Sequence, residues 1–236
     1  MPKNKTYLLS TRPLDKAMVL EAAKNDIIIE EMSFIKTEET AGPSIAKTIQ
    51  ELAHQNITTV FTSMNAVEAV GKLMHGETNW KIFCIGNTTK KIVKKIFGEK
   101  NIAGTADSAS ELAEKIIKDS IKNIVFFCGD KRRDELPDKL KNNGVDVEEI
   151  VVYKTIETPQ LASKEYDGIL FFSPSAVHSF FSKNSISNKT RVFAIGSTTA
   201  NAAEIFTRIP VIISKKPGKE NLVNLAIKNF ITIKNF

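Results

Sequence analysis

The sequence predicts an α/β fold with two doubly wound parallel-sheet domains joined by a two-stranded connection. Three observations carry this reading. First, short apolar runs alternate with segments of helical period, and runs such as Ile124-Val125-Phe126-Phe127 are apolar on both faces, as in a parallel sheet covered by helices on each side. Second, the chain repeats itself at an offset of 110 residues: Phe61 lies over Phe171, Ala66-Val67 over Ala176-Val177, and Gly86 over Gly196, with nine identities across residues 57–97. That period is far too long for a solenoid and points to two similar domains. Third, Ile27–Thr37 and Val145–Glu157 are strand-like, longer than an ordinary strand, and far apart in the chain. If they pair, everything between them becomes an inserted domain.

Taken in order, the strands expected are Tyr7–Leu9, Thr59–Thr62, Lys81–Ile85, Asn123–Phe127, Gly168–Phe172, Arg191–Ile195 and Val211–Ile213. Each is a short apolar run. The helices expected are Leu14–Lys24, Pro43–His54, Asn65–Met74, Thr88–Phe97, Ala109–Lys118, Asp134–Asn142, Ser175–Ser182, Thr198–Thr207 and Glu220–Phe230. Strand, short turn, helix, repeated, is the doubly wound pattern. Domain 1 is therefore expected at 1–29 plus 158–236, domain 2 at 38–145, and the two-stranded linker at 30–37 and 146–157. Because only two chain crossings join the domains, hinging about that linker is expected as well.

Composition bounds the class. With 236 residues, 42% hydrophobic and 25% charged, the chain is too ordinary for a disordered, collagenous or coiled-coil protein and long enough for one large or two small domains. No apolar run approaches the roughly 18 residues of a membrane span. The segment Met1–Ser10 carries charge but no apolar core or cleavage site, so no secretory signal is expected. Cys84 and Cys128 cannot make a disulfide scaffold and neither lies in a CxxC, which suits a reducing cytoplasm. Lysine and arginine number 33 against 27 acids, a net charge of +6. Nucleic acid, an anionic small molecule and mere solubility are the competing readings of that charge; the lysines fall in separate small groups without interleaved aromatics, which argues against nucleic acid and favours an anionic ligand over it.

In an open α/β sheet, ligands bind at the carboxyl ends of the strands. The loops there are alike: Ser10-Thr11-Arg12-Pro13, Thr62-Ser63-Met64-Asn65, Gly86-Asn87-Thr88-Thr89, Gly129-Asp130-Lys131-Arg132-Arg133, Ser173-Pro174-Ser175 and Gly196-Ser197-Thr198-Thr199. Each precedes a helix, whose first N–H groups attract anions, and the hydroxyls add donors. Arg12, Ser63, Asn65, Thr88, Lys131, Arg133, Ser173, Ser175, Ser197, Thr198 and Thr199 are accordingly the candidate contacts for a carboxylate or phosphate ligand. Helix capping alone is the competing account of the Ser, Thr and Asn residues, and solvation of the charged ones.

Other chemistries lack their motifs. No GxGxxG follows the first strand, and there is no GxxxxGK[ST], HExxH, Cys/His cluster or GxSxG elbow. No cofactor and no metal are expected. His54 and His75 sit at helix ends, His178 faces either core or cleft, and the two cysteines read as small buried hydrophobes. Tyr153, in Val151-Val152-Tyr153-Lys154-Thr155, lies on the linker and should border the cleft; its phenol can donate a proton or merely pack.

At this point the residues resemble those of the uroporphyrinogen-III synthase family. The resemblance is carried by Ser10-Thr11-Arg12-Pro13, Phe61-Thr62-Ser63-Met64-Asn65-Ala66-Val67, Ile85-Gly86-Asn87-Thr88-Thr89, Gly129 through Leu136, Val151 through Thr155, Phe172 through Val177, and Ala194 through Ala200, in that order over essentially the whole chain. It implies two flavodoxin-like domains joined by a two-stranded ladder. It also implies a lyase that cyclises hydroxymethylbilane to uroporphyrinogen III, with loss of water and inversion of the terminal pyrrole through a spiro intermediate, in heme biosynthesis. Tyr153 matches the family tyrosine considered as proton donor, and Ser63, Ser173, Thr198 and Thr199 match candidate contacts. The resemblance further implies a cytoplasmic monomer with no cofactor, supplied by transient hand-over from hydroxymethylbilane synthase. One departure stands out: Lys90-Lys91 follow Thr89, where Ala200 follows in the second repeat. A noncatalytic binding protein for an anionic metabolite is the alternative from another class.

Overall fold

The computed structural model describes residues 5–40, 42–216 and 218–234. Met1–Asn4, on which part of the reading about a secretory signal rests, lie outside them. In chain order the elements are β1 (Thr6–Ser10), α1 (Lys16–Ala23), β2 (Ile27–Glu31), β3 (Ile35–Glu39), α2 (Pro43–Ala53), β4 (Thr58–Phe61), α3 (Met64–Leu73), β5 (Lys81–Ile85) and α4 (Asn87–Phe97). A 3-10 turn, Glu99–Asn101, precedes β6 (Ile102–Ala106), α5 (Ala109–Lys118), β7 (Asn123–Gly129), α6 (Glu135–Lys141) and β8 (Asp146–Glu157). The chain continues with β9 (Gly168–Phe171), α7 (Pro174–Phe181), β10 (Arg191–Ala194), α8 (Ser197–Glu204), β11 (Val211–Ile213) and α9 (Lys219–Lys234).

Two compact units result, one made of 1–36 with 156–236 and the other of 37–155. The sheet of the first unit has the order β11-β10-β9-β1-β2, with every adjacent pair parallel. The second sheet has the order β3-β8-β7-β4-β5-β6, and its β8-β7-β4-β5-β6 portion is parallel throughout. The α/β class with two parallel-sheet domains is thus realised. The repeat is visible in the elements themselves: β4, α3, β5 and α4 begin at 58, 64, 81 and 87, and β9, α7, β10 and α8 at 168, 174, 191 and 197.

Why these runs are strands follows from where alternate residues go. In β4, Val60 enters the core on one face of its sheet with Phe83, Leu112 and Phe126, while Phe61 enters the other with Phe127, Trp80 and Phe97. In β9, Ile169 and Phe171 pack with Phe34, Phe180 and Val192, while Leu170 packs with Leu8, Phe193 and Leu222. A strand buried on both sides has no polar face to show, so its sequence is continuously apolar. In the second unit the rings of Phe61, Phe97, Phe127 and Trp80 form contacts with centroids 5.3–5.9 Å apart, each worth about 0.5–1.5 kcal/mol beyond area burial. The buried Trp80 Nε1–H donates to the Leu52 carbonyl at 2.8 Å, so the indole leaves no donor orphaned.

Local signals set the helix starts. Pro43 and Pro174 occupy the first turns of α2 and α7, where the missing N–H costs nothing. At α5, Ser108 Oγ accepts from the Glu111 N–H at 3.2 Å and the Glu111 carboxylate accepts from the Asp107 N–H at 3.1 Å, a reciprocal cap.

Two expectations need correction. Ile27–Thr37 is not one strand. It divides into β2, which joins β1, and β3, which stands beside β8 in the other sheet. The break is at Met32-Ser33-Phe34: the Phe34 ring is fully buried in the first unit, 5.3 Å edge-on from Phe180, which pulls the chain out of extended register. Strand β6 was not expected at all. Its Ile-Ala-Gly-Thr-Ala sequence is too small and too mixed to read as apolar, yet it closes the edge of the second sheet against β5. Glycine serves there because a Cβ on Gly104 would stand within 2.5 Å of the Phe83 ring.

Candidate functional site

Parallel topology brings the candidate loops together within each unit. In the first sheet β10, β9 and β1 are neighbours, so Gly196–Thr199, Ser173–Ser175 and Ser10–Pro13 follow adjacent carboxyl ends. In the second, β7, β4 and β5 are neighbours, so Gly129–Arg133, Thr62–Asn65 and Gly86–Thr89 do the same.

The second unit contains the most developed arrangement. Ser63 is the N-cap of α3, and its Oγ accepts the Asn65 N–H at 3.2 Å. The same oxygen accepts the Tyr153 hydroxyl proton at 3.1 Å. Both lone pairs of Ser63 are therefore engaged, and its own O–H remains as a donor. Tyr153 reaches this point from β8, where the register with β7 slips: Cys128 pairs with Val151, but Gly129 pairs with Tyr153. Burial pushes the Tyr153 hydroxyl to a higher pKa than the ordinary value of 10.0, with the hydrogen bonds to Ser63 and Asn65 pulling the other way. The phenol is thus protonated at neutral pH. Beside it, Asp130 N–H donates to the Tyr153 carbonyl at 3.1 Å, and Asp130 Oδ1 accepts the Thr155 N–H at 2.8 Å.

In the first unit Thr11 is pinned to β9, its N–H and Oγ1 both donating to the Leu170 carbonyl at 3.1 and 2.8 Å. Ser10 Oγ donates to the Arg12 carbonyl at 2.6 Å. These bonds hold Arg12 so that its guanidinium carbon lies 5.8 Å from the centre of the Phe172 ring. Its Nε is buried and has no partner among the described residues. Burial lowers the Arg12 pKa, offset in part by Asp15, but a guanidinium remains charged. A partly buried guanidinium favours an incoming carboxylate.

The repeated loops have diverged in how they start their helices. Ser173, like Ser63, is a cap: its Oγ accepts the Ala176 N–H at 3.2 Å. The helices α4 and α8 instead begin after Gly86 and Gly196, and neither has a side-chain cap, which leaves first-turn N–H groups open to an anion. Gly86 has φ of 68°, a left-handed conformation that favours glycine. Thr88, Ser197 and Thr198 are exposed on these first turns, and Ser175 is half-buried. Thr199 departs from expectation: it is fully buried and its hydroxyl faces the core rather than a ligand. The third residue of α8 turns inward with Ala200 and Ala203, as does Thr89 in the matching helix α4. Lys131 and Arg133 are exposed, whereas Arg132 between them folds back onto Glu149 and Asp134.

Cys84 and Cys128 are buried, and burial pushes both thiols up to about 11, so neither presents a thiolate near neutral pH. His54 and His75 are exposed; His178 is exposed as well and lies edge-on to Phe206 at 5.3 Å. Among the described residues no group of three His, Cys, Asp or Glu side chains could hold a metal, and no helix is long and apolar enough to cross a membrane. The residues missed from sequence are Gly129 and Asp130. They stand in a quoted loop, but their effect depends on a strand register that no local pattern encodes.

Comparison with known proteins agrees with this architecture. Among solved structures, a protein described as uroporphyrinogen-III synthetase from Helicobacter pylori superposes with a TM-score of 0.65 at 18% identity, covering 95% of this chain and 99% of that one. A mutant uroporphyrinogen III synthase from Thermus thermophilus superposes with a TM-score of 0.61 at 14% identity, covering 97% and 99%. At these identities the likeness concerns the fold. In sequence, the chain is 28% identical over 171 residues to the uroporphyrinogen-III synthase of Saccharomyces cerevisiae, a match spanning 61% of this chain and 62% of the yeast protein's length. The family model described as Uroporphyrinogen-III synthase HemD matches residues 16–224, and the chain belongs to that family.

Proposed function

We propose that this chain is a uroporphyrinogen-III synthase, a lyase that closes linear hydroxymethylbilane to uroporphyrinogen III with loss of water and inversion of the last pyrrole ring. The observation that carries the reading beyond family membership is the Tyr153–Ser63 pair, a protonated phenol held by a helix-capping serine at the carboxyl end of a parallel sheet.

The chemistry needs a donor and a shape. Loss of the substrate hydroxyl breaks a C–O bond as the pyrrole nitrogen lone pair moves in, and the oxygen must acquire a proton to leave as water. Tyr153, whose raised pKa keeps the proton in place, can turn its O–H from Ser63 Oγ onto that oxygen and deliver or share the proton, and the Ser63 O–H can then donate to the phenol oxygen. The resulting azafulvene cation is attacked by the substituted carbon of the terminal ring to give the spiro intermediate. Fragmentation and reclosure in the inverted sense, with final loss of a ring proton, restore neutrality and return a proton to the phenol. Each unit offers its own candidate counterparts for the substrate's carboxylates: in the first, Arg12 and the uncapped first turn of α8 with Ser175, Ser197 and Thr198; in the second, the exposed Lys131 and Arg133 and the uncapped first turn of α4 with Asn65 and Thr88. Holding the chain so that spiro closure outruns direct closure is positional work, worth several kcal/mol of orientation. The protein acts in this reading as a cytoplasmic monomer without cofactor, receiving its labile substrate from hydroxymethylbilane synthase.

The test is a coupled assay: generate hydroxymethylbilane enzymatically, add the protein, oxidise, and separate uroporphyrin isomers I and III. Isomer III in large excess is expected. Isomer I alone from folded protein would sink the reading and leave an anion-binding protein.

A further inference from the structure

We infer that Gly129 is a positioning residue for Tyr153: the register slip between β7 and β8 and the missing side chain at Gly129 together make the space in which the phenol rests against Ser63. The catalytic significance of this rests on the function proposed above; the positioning itself does not.

The slip comes first. Between the pairs Cys128–Val151 and Gly129–Tyr153, β8 holds one extra residue, Val152, which is buried in the core with Phe61 and Phe127. An extra residue bends a strand and re-aims the side chain that follows. Here that side chain is Tyr153, opposite Gly129. The slip is clasped from both sides by Asp130, through its N–H to the Tyr153 carbonyl and its carboxylate to the Thr155 N–H.

The space comes second. A Cβ at residue 129 would stand 2.6 Å from Tyr153 Cε2 and 2.8 Å from its hydroxyl oxygen, distances real carbon atoms do not keep. Gly129 does not have a left-handed φ, so its backbone would accept any residue. Glycine is needed there only because the Tyr153 ring lies over it. The conflicting atoms are the outer end of a side chain, so an added methyl group displaces the ring rather than the strands. A displaced ring takes the hydroxyl off Ser63 Oγ.

The experiment uses protein labelled with 13C at the tyrosine Cζ position, which gives resonances from Tyr7, Tyr153 and Tyr166, the Tyr153 signal being assigned with Tyr153→Phe. In Gly129→Ala the Tyr153 resonance is expected to shift while the other two stay, and isomer III formation is expected to fall tenfold or more with the melting temperature little changed. In a Tyr153→Ala background, adding Gly129→Ala is expected to change neither turnover nor melting temperature, because the ring it would strike is gone. If Gly129→Ala fails to fold, the double variant is expected to fold. An unmoved Tyr153 resonance in Gly129→Ala overturns the inference, as does a further fall in turnover or melting temperature when Gly129→Ala is added to Tyr153→Ala. Should the wild-type protein make no isomer III, the activity reading fails, and the resonances and melting temperatures still decide the positioning.

Discussion

The hydroxyl of Tyr153 donates to Oγ of Ser63 at 3.1 Å across 90 residues of sequence. The same Ser63 oxygen caps α3, so a fold-stabilising contact and a site contact share one atom. The bond ties β8 to the loop after β4 without those strands being neighbours, since β7 lies between them.

Removing the phenol oxygen tests the donor role. Tyr153→Phe keeps the ring over Gly129 and loses one hydrogen bond, so stability falls by only about 1 kcal/mol. Turnover to isomer III is expected to drop roughly tenfold to a thousandfold, the range of a lost proton donor. An unchanged rate in a folded variant would leave Tyr153 as a packing residue.

Ser63 and Ser173 offer an internal comparison, because both cap helices at equivalent points of the repeat. Alanine at either position should cost about 1 kcal/mol in denaturant unfolding. Ser63→Ala also removes the oxygen that accepts the Tyr153 hydroxyl. Losing the Ser63 O–H, which can turn to donate to the ionised phenol, should raise the Tyr153 pKa further, as read by tyrosinate absorbance. Equal titrations in the two variants would argue that the Tyr153–Ser63 bond is weak in solution.

Arg12 is charged, partly buried and short of one partner. Arg12→Met preserves most of the stem that lies near Phe172 and removes the guanidinium. We expect the KM for hydroxymethylbilane to rise about tenfold or more, with kcat less affected, as for a residue that binds substrate and transition state alike. A fall in kcat at unchanged KM would instead place Arg12 at the reacting centre.

Alkaline pH should unfold the protein through its buried acids. Cys84 and Cys128 rise from an ordinary 9.0 to about 11 on folding, and Tyr153 rises from 10.0. Each holds its proton more tightly when folded, so the thiols' contribution is complete below pH 9 and is lost as pH climbs through 11, and Tyr153 adds to the decline above pH 10. The loss is at most about 3 kcal/mol per thiol. Urea midpoints measured from pH 8 to 11 should show the decline, and thiol reagents near neutrality should label the folded protein slowly. Rapid labelling of both cysteines would show that these thiols are not sealed.

Much of this was legible in the sequence because the relevant forces are local or periodic. Continuous apolar runs marked strands buried on two faces, and the 110-residue repeat announced a second copy of strand–Ser–helix and strand–Gly–Thr–Thr–helix. Serine before a helix marked Ser63 and Ser173 as caps. What stayed hidden has longer reach. Strand β6 is invisible because Gly104 at its centre lies against the Phe83 ring and has no room for a side chain that would mark a strand. Thr198 and Thr199 look alike in sequence, and only the direction in which α8 meets its sheet sends one to the surface and the other into the core.

The sequence by itself therefore determined the class, the duplication, the strand-end loops and the residue types available for binding an anion, since each follows from nearest-neighbour chemistry and a period of two or 3.6. The tertiary structure alone decided which of those residues meet. The slip that aims Tyr153 over Gly129 and onto Ser63 is a property of how β7 and β8 pair, and pairing between distant segments is set by packing that no single segment carries.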